Sequence, residues 1–501
     1  VKLGPLGQME DEKNRFEKYI QDALPLLAPQ MTGFVQEQET GAIAYIYLRG
    51  NVLAETNVLQ AYYLAKSEKD ILRCLKSLLI DGLGQGLYQE VHPGKRDISY
   101  EDFYSRYFLP DITMTATEID TSPLPEDSDV RTFTGEAAVW ELRDYAESGN
   151  FVQLDNFRVN EKEDTRLTLC HHIDPFRVRV TLTPTQSKML PVTKGQIIYL
   201  RGRITNHRHQ ALTEIVDEIF SEVNATELQL SSDKIEIAGA SYPHPLTLYA
   251  HYLHRRMPRN LTNIHGDLHL FNVIIDSFDK PWLIDFGRVG EGHALFDFVE
   301  LEVHLRHAIL GETDFSIAEW VNFERRLICA LTPKHHLGPP SNPELKKAYT
   351  IINGIRDFAW QYAKEKEAFA AEYLPALFLY SLATLKFHKK NGPRSARHAF
   401  LTAVITAAYL ENEPICRELP RPIPRPKPLK PPLKKPPIHA YIESMKPIPP
   451  HDPALYMASS LVSNILFYHF VITHPEWQPG GIKMQEGYAD AAYLRHWRDG
   501  S

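Results

Sequence analysis

Cysteine is scarce in this chain of 501 residues: there are four, and no two of them lie close together in the sequence. A cysteine-based zinc site requires pairs at short spacing, and a disulfide framework is typical of short chains rich in cysteine. The spacing argues against both, and widely spaced thiols are typical of a reducing compartment. We predict a cytoplasmic protein with reduced thiols at Cys74, Cys170, Cys329 and Cys416.

The chain has no excess of positive charge either. Lys and Arg total 55 against 63 Asp and Glu, which gives a formal net charge of −8. Proteins that bind nucleic acid or anionic membranes through their overall charge are basic. We therefore do not expect nucleic acid as a partner of this chain.

Long apolar stretches are also rare. Residues 453–473 contain no charged side chain and approach the length of a membrane span. Serines, an asparagine and a histidine within the stretch lower its hydrophobicity, and its basic flanks are weak. We predict that it does not cross a membrane and instead docks on the body of the protein or on a partner.

The most informative stretch runs over residues 264–276, IHGDLHLFNVIID, and is followed by WLIDFG at residues 282–287. Asp267 and Asn272 lie on a predicted loop between two apolar strands, and Asp285 follows a third apolar run. This layout predicts that three oxygen-bearing side chains lie together at one site. A base for a hydroxyl proton, with an amide and a carboxylate that hold magnesium against nucleotide phosphates, is the set of groups that kinase chemistry requires.

The motifs HGDLHxxN and IDFG, in this order, resemble those of the protein-kinase-like fold in its aminoglycoside phosphotransferase and choline kinase branch. The resemblance implies Asp267 as catalytic base, His265 as a residue that braces the loop, and Asn272 and Asp285 as magnesium ligands. It also implies a bilobal α+β fold with a helical carboxyl-terminal lobe, and ATP and Mg²⁺ as cofactors. The layout is similar, in addition, to a kinase-like family predicted in bacterial conflict and signalling systems.

The interval between Asp285 and Asp297 is short, at 12 residues (297 − 285). A protein kinase needs a longer activation segment that ends in Ala-Pro-Glu, and neither the length nor the tripeptide is present here. Short intervals are similar to those of small-molecule kinases. We therefore expect a small hydroxyl compound, and not a protein, as the acceptor.

The amino end has the pattern of a strand that carries Lys2, followed by an amphipathic helix over residues 10–24. In the fold that the motifs resemble, a strand lysine contacts the nucleotide phosphates and a helix glutamate holds it. The resemblance therefore implies a cofactor-binding pair of Lys2 with Glu12, or with Glu10.

Strands predicted at residues 32–39 and 42–48 complete a truncated amino-terminal lobe, and residues 48–50 would lie near the hinge that receives adenine. No glycine-rich phosphate loop precedes Lys2, which is natural if the chain is a fragment of a longer protein. The glycines of residues 82–86 follow an apolar helix and predict its end and a turn, not a phosphate cradle.

The periodicity changes from helical to short alternating strands at residue 151, which predicts an inserted small β-barrel of OB type. After residue 418, a run of prolines interrupted by Lys and Arg cannot form a helix or a central strand. We predict six parts: an incomplete kinase-like amino-terminal lobe (1–50), the first helical part of the carboxyl-terminal lobe (51–150), the OB-like insertion (151–222), the catalytic carboxyl-terminal lobe (223–418), a proline-rich basic tether (419–450) and a docking or partner segment (451–501).

Together, these patterns predict an enzyme that transfers the γ-phosphate of ATP to a hydroxyl. Two other interpretations stay open. The chain is a non-catalytic, nucleotide-binding scaffold of a signalling or defence complex, which binds a protein partner through the tether and the last segment, or it is a factor that binds single-stranded nucleic acid through the barrel. The basic residues of the barrel region are interleaved with acids, which favours an ordinary solvated face over a nucleic-acid groove.

Overall fold

The computed structural model describes residues 1–38, 40–45, 57–88, 98–125, 127–170, 175–190, 192–258, 260–331 and 337–412. The predicted hinge at residues 48–50, the proline-rich tether and the last segment lie outside the described residues. We number strands β1–β17 and helices α1–α14 in chain order.

A three-stranded antiparallel sheet and one helix form the amino end. The sheet contains the strands that the sequence patterns predict, in the order β1-β3-β2, and α1 continues into a wider turn over residues 16–20 whose Phe16 and Ile20 are buried. The elements are β1 (Lys2–Pro5), α1 (Leu6–Arg15), β2 (Met31–Glu37) and β3 (Thr40–Tyr45).

A closed barrel of five strands follows, with its own hydrophobic core. Around the barrel each strand pairs with two others: β10 pairs with β5 and β7, β8 pairs with β7 and β9, and β5 and β9 close the ring as its parallel pair. The elements are β5 (Ile112–Asp120), β6 (Arg131–Thr134), α6 (Gly135–Tyr145), β7 (Phe151–Glu163), β8 (Arg166–Cys170), β9 (Arg177–Thr181), α7 (Pro184–Met189) and β10 (Ile197–His207).

The β-rich module that the sequence predicts is thus present, and its first strand, β5, lies upstream of the predicted start at residue 151. The first strand after residue 151, β7, is 13 residues long, and Asn156 within it adopts a left-handed conformation (φ 63°) that bends the chain without ending the strand. Gly202 lies at a bulge of β10, where an added Cβ would come within 2.3 Å of the carbonyl oxygen of Thr115. Only glycine allows this close approach of β5 and β10.

The remaining elements form a helical body around the larger hydrophobic core. Three small antiparallel sheets, β11-β12-β13, β14-β17 and β16-β15-β4, lie among its helices. The elements are β4 (Asn57–Val58), α2 (Leu59–Ala65), α3 (Glu68–Lys76), α4 (Gly84–Gly86), α5 (Tyr100–Tyr104), α8 (Arg208–Phe220), β11 (Leu228–Leu230), β12 (Lys234–Ile237), β13 (Ala240–Pro243), α9 (Pro245–His254), β14 (Leu261–Ile264), β15 (Val273–Ile275), β16 (Pro281–Leu283), β17 (Gly290–His293), α10 (Phe296–His304), α11 (Ile317–Cys329), α12 (Pro343–Trp360), α13 (Phe369–Ala383) and α14 (His388–Leu410), the last kinked at Gly392.

Two local expectations were wrong. The chain stays helical through residues 82–86, because the glycines there permit close packing: a Cβ at Gly82 or Gly84 would come within 1.9 Å of Leu27 or 2.1 Å of Tyr362. Cys74 and Cys170 are free thiols as expected, whereas Cys329 is disulfide-bonded.

The barrel contacts both the amino-terminal helix and the helical body. Glu161 of β7 accepts a hydrogen bond from Gln8 of α1 (3.2 Å). On the other side, the guanidinium of Arg177 in β9 donates to the carbonyl oxygens of Ser105 (2.5 Å) and Phe108 (2.9 Å) in the body. Arg177 thus serves the packing of the barrel, as an ordinary structural residue does.

None of the described helices is both long enough and apolar enough to cross a bilayer. The predicted docking stretch at residues 453–473 lies outside the described residues.

Candidate functional site

The loop that carries Asp267 runs from the end of β14 to the start of β15, and the first helix after the IDFG motif anchors it. Asp297, in the first turn of α10 and fully buried, accepts hydrogen bonds from the amides of His265 (2.7 Å) and Gly266 (2.8 Å) and from the hydroxyl of Tyr88 (2.7 Å). Gly266 has φ 75°, and a Cβ there would come within 2.6 Å of the carbonyl oxygen of Arg288. The HGD sequence therefore needs its glycine for both conformation and space.

A second buried acid of α10 supports the same loop. Glu300 accepts hydrogen bonds from the amide of Leu268 (2.6 Å) and the hydroxyl of Tyr380 (2.5 Å). Burial, and then the nearby negative charge of Asp267, raise the pKa of Glu300 to about 8. Glu300 was not selected from the sequence, although the spacing of Asp297 and Glu300, three residues apart in a mainly apolar helix, places both acids on one face and was a signal.

Glu300→Gln should remove a loss of stability that the parent shows as the pH rises from 4.5 to about 8. The folded protein keeps the proton of Glu300 up to about pH 8, whereas the unfolded chain releases it near 4.5. The folded state therefore binds more protons in this window, and its stability falls as the pH rises from 4.5 to 8. Glutamine is neutral throughout and can still accept the bond from Leu268.

Urea unfolding at pH 5 and pH 8 measures this effect. From pH 5 to pH 8, the free energy of unfolding of the parent should fall by on the order of 3 kcal/mol more than that of Glu300→Gln, because each pKa unit corresponds to about 1.4 kcal/mol. The exposed residue Glu365 provides the control substitution Glu365→Gln, which should follow the parent. An equal pH dependence in the parent and Glu300→Gln would contradict the prediction.

The carboxylate of Asp267 is held between two side chains. The amide nitrogen of Asn272 donates to the carbonyl oxygen of Asp267 (2.8 Å) and to its Oδ2 (3.3 Å), and Arg288 Nη1 lies 3.1 Å from Oδ1. Nε2 of His269 lies 4.0 Å from Oδ2, beyond hydrogen-bond distance. The structure thus brings Asp267 and Asn272 together as predicted, and it adds Arg288, which sequence analysis did not select.

Asp285 follows β16 in a left-handed conformation (φ 64°), which aspartate tolerates better than most residues. This conformation brings Oδ1 of Asp285 to 2.9 Å from Nζ of Lys2, which lies at the amino end of the chain. Burial raises the pKa of Asp285, but the hydrogen bond and the charge of Lys2 outweigh it, so the net shift is downward. Asp285 is therefore ionised at neutral pH and available as an oxygen ligand.

Lys2 also contacts Glu12, one of the two glutamates predicted to hold it. The distance from Lys2 Nζ to Glu12 Oε2 is 2.6 Å, and Glu12, whose side chain is 2% exposed, accepts a second hydrogen bond from the hydroxyl of Tyr45 (3.0 Å). Burial tends to lower the pKa of Lys2, but its bonds to Glu12 and Asp285 raise it overall. The lysine is therefore a fixed, permanent positive charge beside Asp285.

His265 lies fully buried behind Asp267. Among the described residues neither ring nitrogen has a hydrogen-bond partner, and the ring packs edge-on against Phe286 of the IDFG motif with centroids 5.8 Å apart. Phe286 in turn packs edge-on against Phe16 (5.3 Å). The imidazole thus joins the loop to the IDFG segment by packing, and its backbone amide ties the loop to Asp297.

The donors around Asp285 suit a magnesium ion. Magnesium is usually held by one or two protein oxygens and completes its shell with water and substrate phosphates. Asp285 offers a carboxylate, and Asn272, whose amide nitrogen is turned to Asp267, keeps an amide oxygen. In the described part of the chain, no three His, Cys, Asp or Glu residues form a metal-binding group, so a bound ion would depend on the phosphates for further ligands.

Comparison with models of protein families matches residues 1–386 to a family described as ternary complex associated domain 9. This description names association in a complex and specifies neither reaction nor ligand. No curated protein and no solved structure matches the chain.

Proposed function

The chain belongs to the ternary complex associated domain 9 family, and we propose that it is an ATP-dependent phosphotransferase with a bilobal kinase-like fold. The reaction would transfer the γ-phosphate of ATP to a hydroxyl of a small-molecule acceptor. The amino-terminal sheet would be the smaller lobe, the helical body the larger lobe, and the barrel an insertion between them.

One observation carries the proposal: Lys2 of β1 lies between Glu12 of α1 and Asp285, which follows β16. Lys2 is partly exposed, and two carboxylates hold it, one of which is almost fully buried. A lysine fixed in this way beside an ionised aspartate is what a nucleotide phosphate and its counter-ion require. Asp267 and Asn272 lie on the adjacent loop, as the motif order implies.

Each residue has a role in the proposed reaction. Lys2 would bind phosphate oxygens, and Glu12 and Tyr45 would hold its side chain in place. Asp267 would orient the acceptor hydroxyl and accept its proton as the new oxygen–phosphorus bond forms and the bond to the leaving ADP breaks. Asp285 and Asn272 would hold Mg²⁺, which when bound neutralises phosphate charge.

We further propose that the barrel is of OB type with a permuted strand order. If β7 is counted as the first strand, the ring runs through β8, β9, β5 and β10 back to β7, and α7 lies between β9 and β10. This is the strand order of an OB-type barrel with its last strand supplied from upstream.

A second candidate function, a nucleotide-binding scaffold, has support of its own. The family description refers to a complex, and the carboxylate of Asp267 is engaged by Arg288 and Asn272 instead of being open to an acceptor. A scaffold would use Lys2 and Asp285 to bind the nucleotide and would not need a free base.

Magnesium-dependent ATP binding and phosphoryl transfer test both candidates. In the parent, thermal unfolding with ATP should shift upward when Mg²⁺ is added, and labelled phosphate should appear in a hydroxyl acceptor. Asp285→Asn keeps a residue that tolerates the left-handed backbone but lacks the charge, and we expect it to lose the magnesium-dependent shift and about 100-fold in transfer.

The matched control is Asp314→Asn, because the Asp314 side chain is 92% exposed. It should behave as the parent does. Binding without transfer in the parent would favour the scaffold, and the absence of any magnesium-dependent shift would exclude both functions.

A further inference from the structure

Tyr107 brings the catalytic loop and three cationic side chains together. Its hydroxyl donates to the carbonyl oxygen of Gly266 (2.8 Å), next to Asp267, and its own carbonyl oxygen accepts a hydrogen bond from Nζ of Lys386. The guanidinium groups of Arg288 and Arg106 lie 5.6 Å and 4.9 Å from the centre of its ring. All three positive groups therefore contact Tyr107, whose hydroxyl is bonded to the residue before Asp267.

The barrel extends this positive surface. Arg177 binds carbonyl oxygens on both sides of Tyr107, so β9 lies against the same turn of the body. Arg179 is two residues further along β9, on the same face of the strand, and is half-buried. We call Arg106, Arg179, Arg288 and Lys386 the cationic cluster.

Positive charge in the cluster is not fully compensated. Burial first, and then the charges of Arg288, Arg177 and Arg179, lower the pKa of Lys386 to about 7. Asp267 faces the cluster with one negative charge, while Glu300 beneath it has a pKa of about 8 and is largely neutral at pH 7. A positive region of this kind stands out in a chain whose formal net charge is −8.

We infer that the acceptor of the proposed phosphotransfer is anionic: a small hydroxyl compound that carries a phosphate group, which the cationic cluster binds while the hydroxyl lies at Asp267. The inference rests on the proposed function. Guanidinium groups bind phosphate with paired hydrogen bonds, so Arg288, whose side chain is 52% exposed, is suited to bind the acceptor.

This inference gives the contact between Arg288 and Asp267 a role in controlling the catalytic base. Without an acceptor, Arg288 neutralises Asp267 at 3.1 Å. A phosphate group competes for the same guanidinium, and its binding frees the Asp267 carboxylate to take the hydroxyl proton. The base would therefore be released only when the correct acceptor is present.

Isothermal calorimetry without nucleotide tests the inference on the full chain. The probes are inorganic phosphate, glycerol 3-phosphate and glucose 6-phosphate, with glycerol and glucose as neutral counterparts. We expect the phosphorylated probes to bind at least tenfold more tightly than their neutral counterparts. Arg179→Gln and Lys386→Gln should each lower the affinity for the phosphorylated probes by about tenfold, which is the usual cost of one charge-assisted hydrogen bond.

Arg166→Gln is the matched control, because Arg166 lies exposed on the neighbouring strand β8 and its substitution removes the same charge. It should bind the probes as the parent does. Arg179 is half-buried on the barrel, so Arg179→Gln also keeps the test decisive if Lys386→Gln fails to fold.

Equal affinity for phosphorylated and neutral probes, or unchanged affinity in both Arg179→Gln and Lys386→Gln, would overturn the inference. These measurements contain no ATP, so they are independent of the magnesium-dependent thermal shift. Loss of that shift with intact probe binding would count against the phosphotransferase alone, and an intact shift without probe binding would count against the anionic acceptor alone.

Discussion

Asp267→Asn is expected to slow phosphoryl transfer by about three orders of magnitude, within the range measured for the loss of a general base. Asparagine has nearly the shape of aspartate, so the loop and its bond from Asn272 can persist. It cannot accept the proton of an acceptor hydroxyl, and it removes the negative charge that faces Arg288. The effect should therefore appear in the rate of transfer and not in the fold.

Single-turnover transfer from labelled ATP, together with ATP affinity in the presence of Mg²⁺, measures this effect. Because Lys2 and Asp285 are unchanged, the affinity for ATP should stay within a few-fold of the parent. Asp279→Asn is the control, because it makes the same substitution on the hairpin before Asp285, at a left-handed backbone (φ 60°) that asparagine tolerates. Transfer at the parental rate in Asp267→Asn would refute the assignment of the base.

Asp297→Ala is expected to lower the free energy of unfolding by roughly 3–5 kcal/mol, the range for breaking a buried charged network. The carboxylate is fully buried and accepts three hydrogen bonds, from the amides of His265 and Gly266 and from Tyr88. Alanine leaves all three donors without an acceptor in a site that water does not reach. The loop that carries Asp267 would lose its main anchor.

Chemical denaturation compares this variant with Asp314→Ala, which removes an exposed carboxylate from the segment before α11 and should cost little stability. Asp297→Asn should be intermediate, because one carbonyl oxygen can still accept. Equal stability of Asp297→Ala and Asp314→Ala would show that the loop does not depend on this anchor. Transfer should fall together with stability in Asp297→Ala, unlike in Asp267→Asn.

The signals that begin, end or kink helices of the body are local. Helix α11 is an example: Ser316 and Glu319, three residues apart in the sequence, form a capping box at its start. The kink of α14 lies at Gly392, whose φ of 84° no other residue adopts as easily, and Pro393 follows it. Such features depend on neighbours a few residues away.

The barrel could be predicted only in part, because its closure depends on distant pairing. Strands β8 and β9 alternate strongly enough to be identified from the sequence alone. β5 is Thr-rich and half polar, and its register with β10 joins Ile112 to His207, far along the chain. No local pattern specifies such a partner.

The candidate site divides in the same way. Asp267 and Asn272 lie five residues apart and form their contact within one loop. The motifs HGD and IDFG, and their order, can be identified directly in the sequence. Arg288, Glu300 and Lys386 were not identified from the sequence, because their importance comes from burial and from charges that only the fold brings near Asp267.

The sequence by itself therefore determined the contact between Asp267 and Asn272 and the presence of a β-rich insertion, since both depend on interactions between near neighbours. Only the tertiary structure decided that Lys2 meets Asp285, that the barrel closes with an upstream strand, and that Tyr107 holds positive charge beside Asp267. The physical reason is that contacts between distant segments depend on how whole elements pack, and the periodicity of the sequence does not specify which elements pack together.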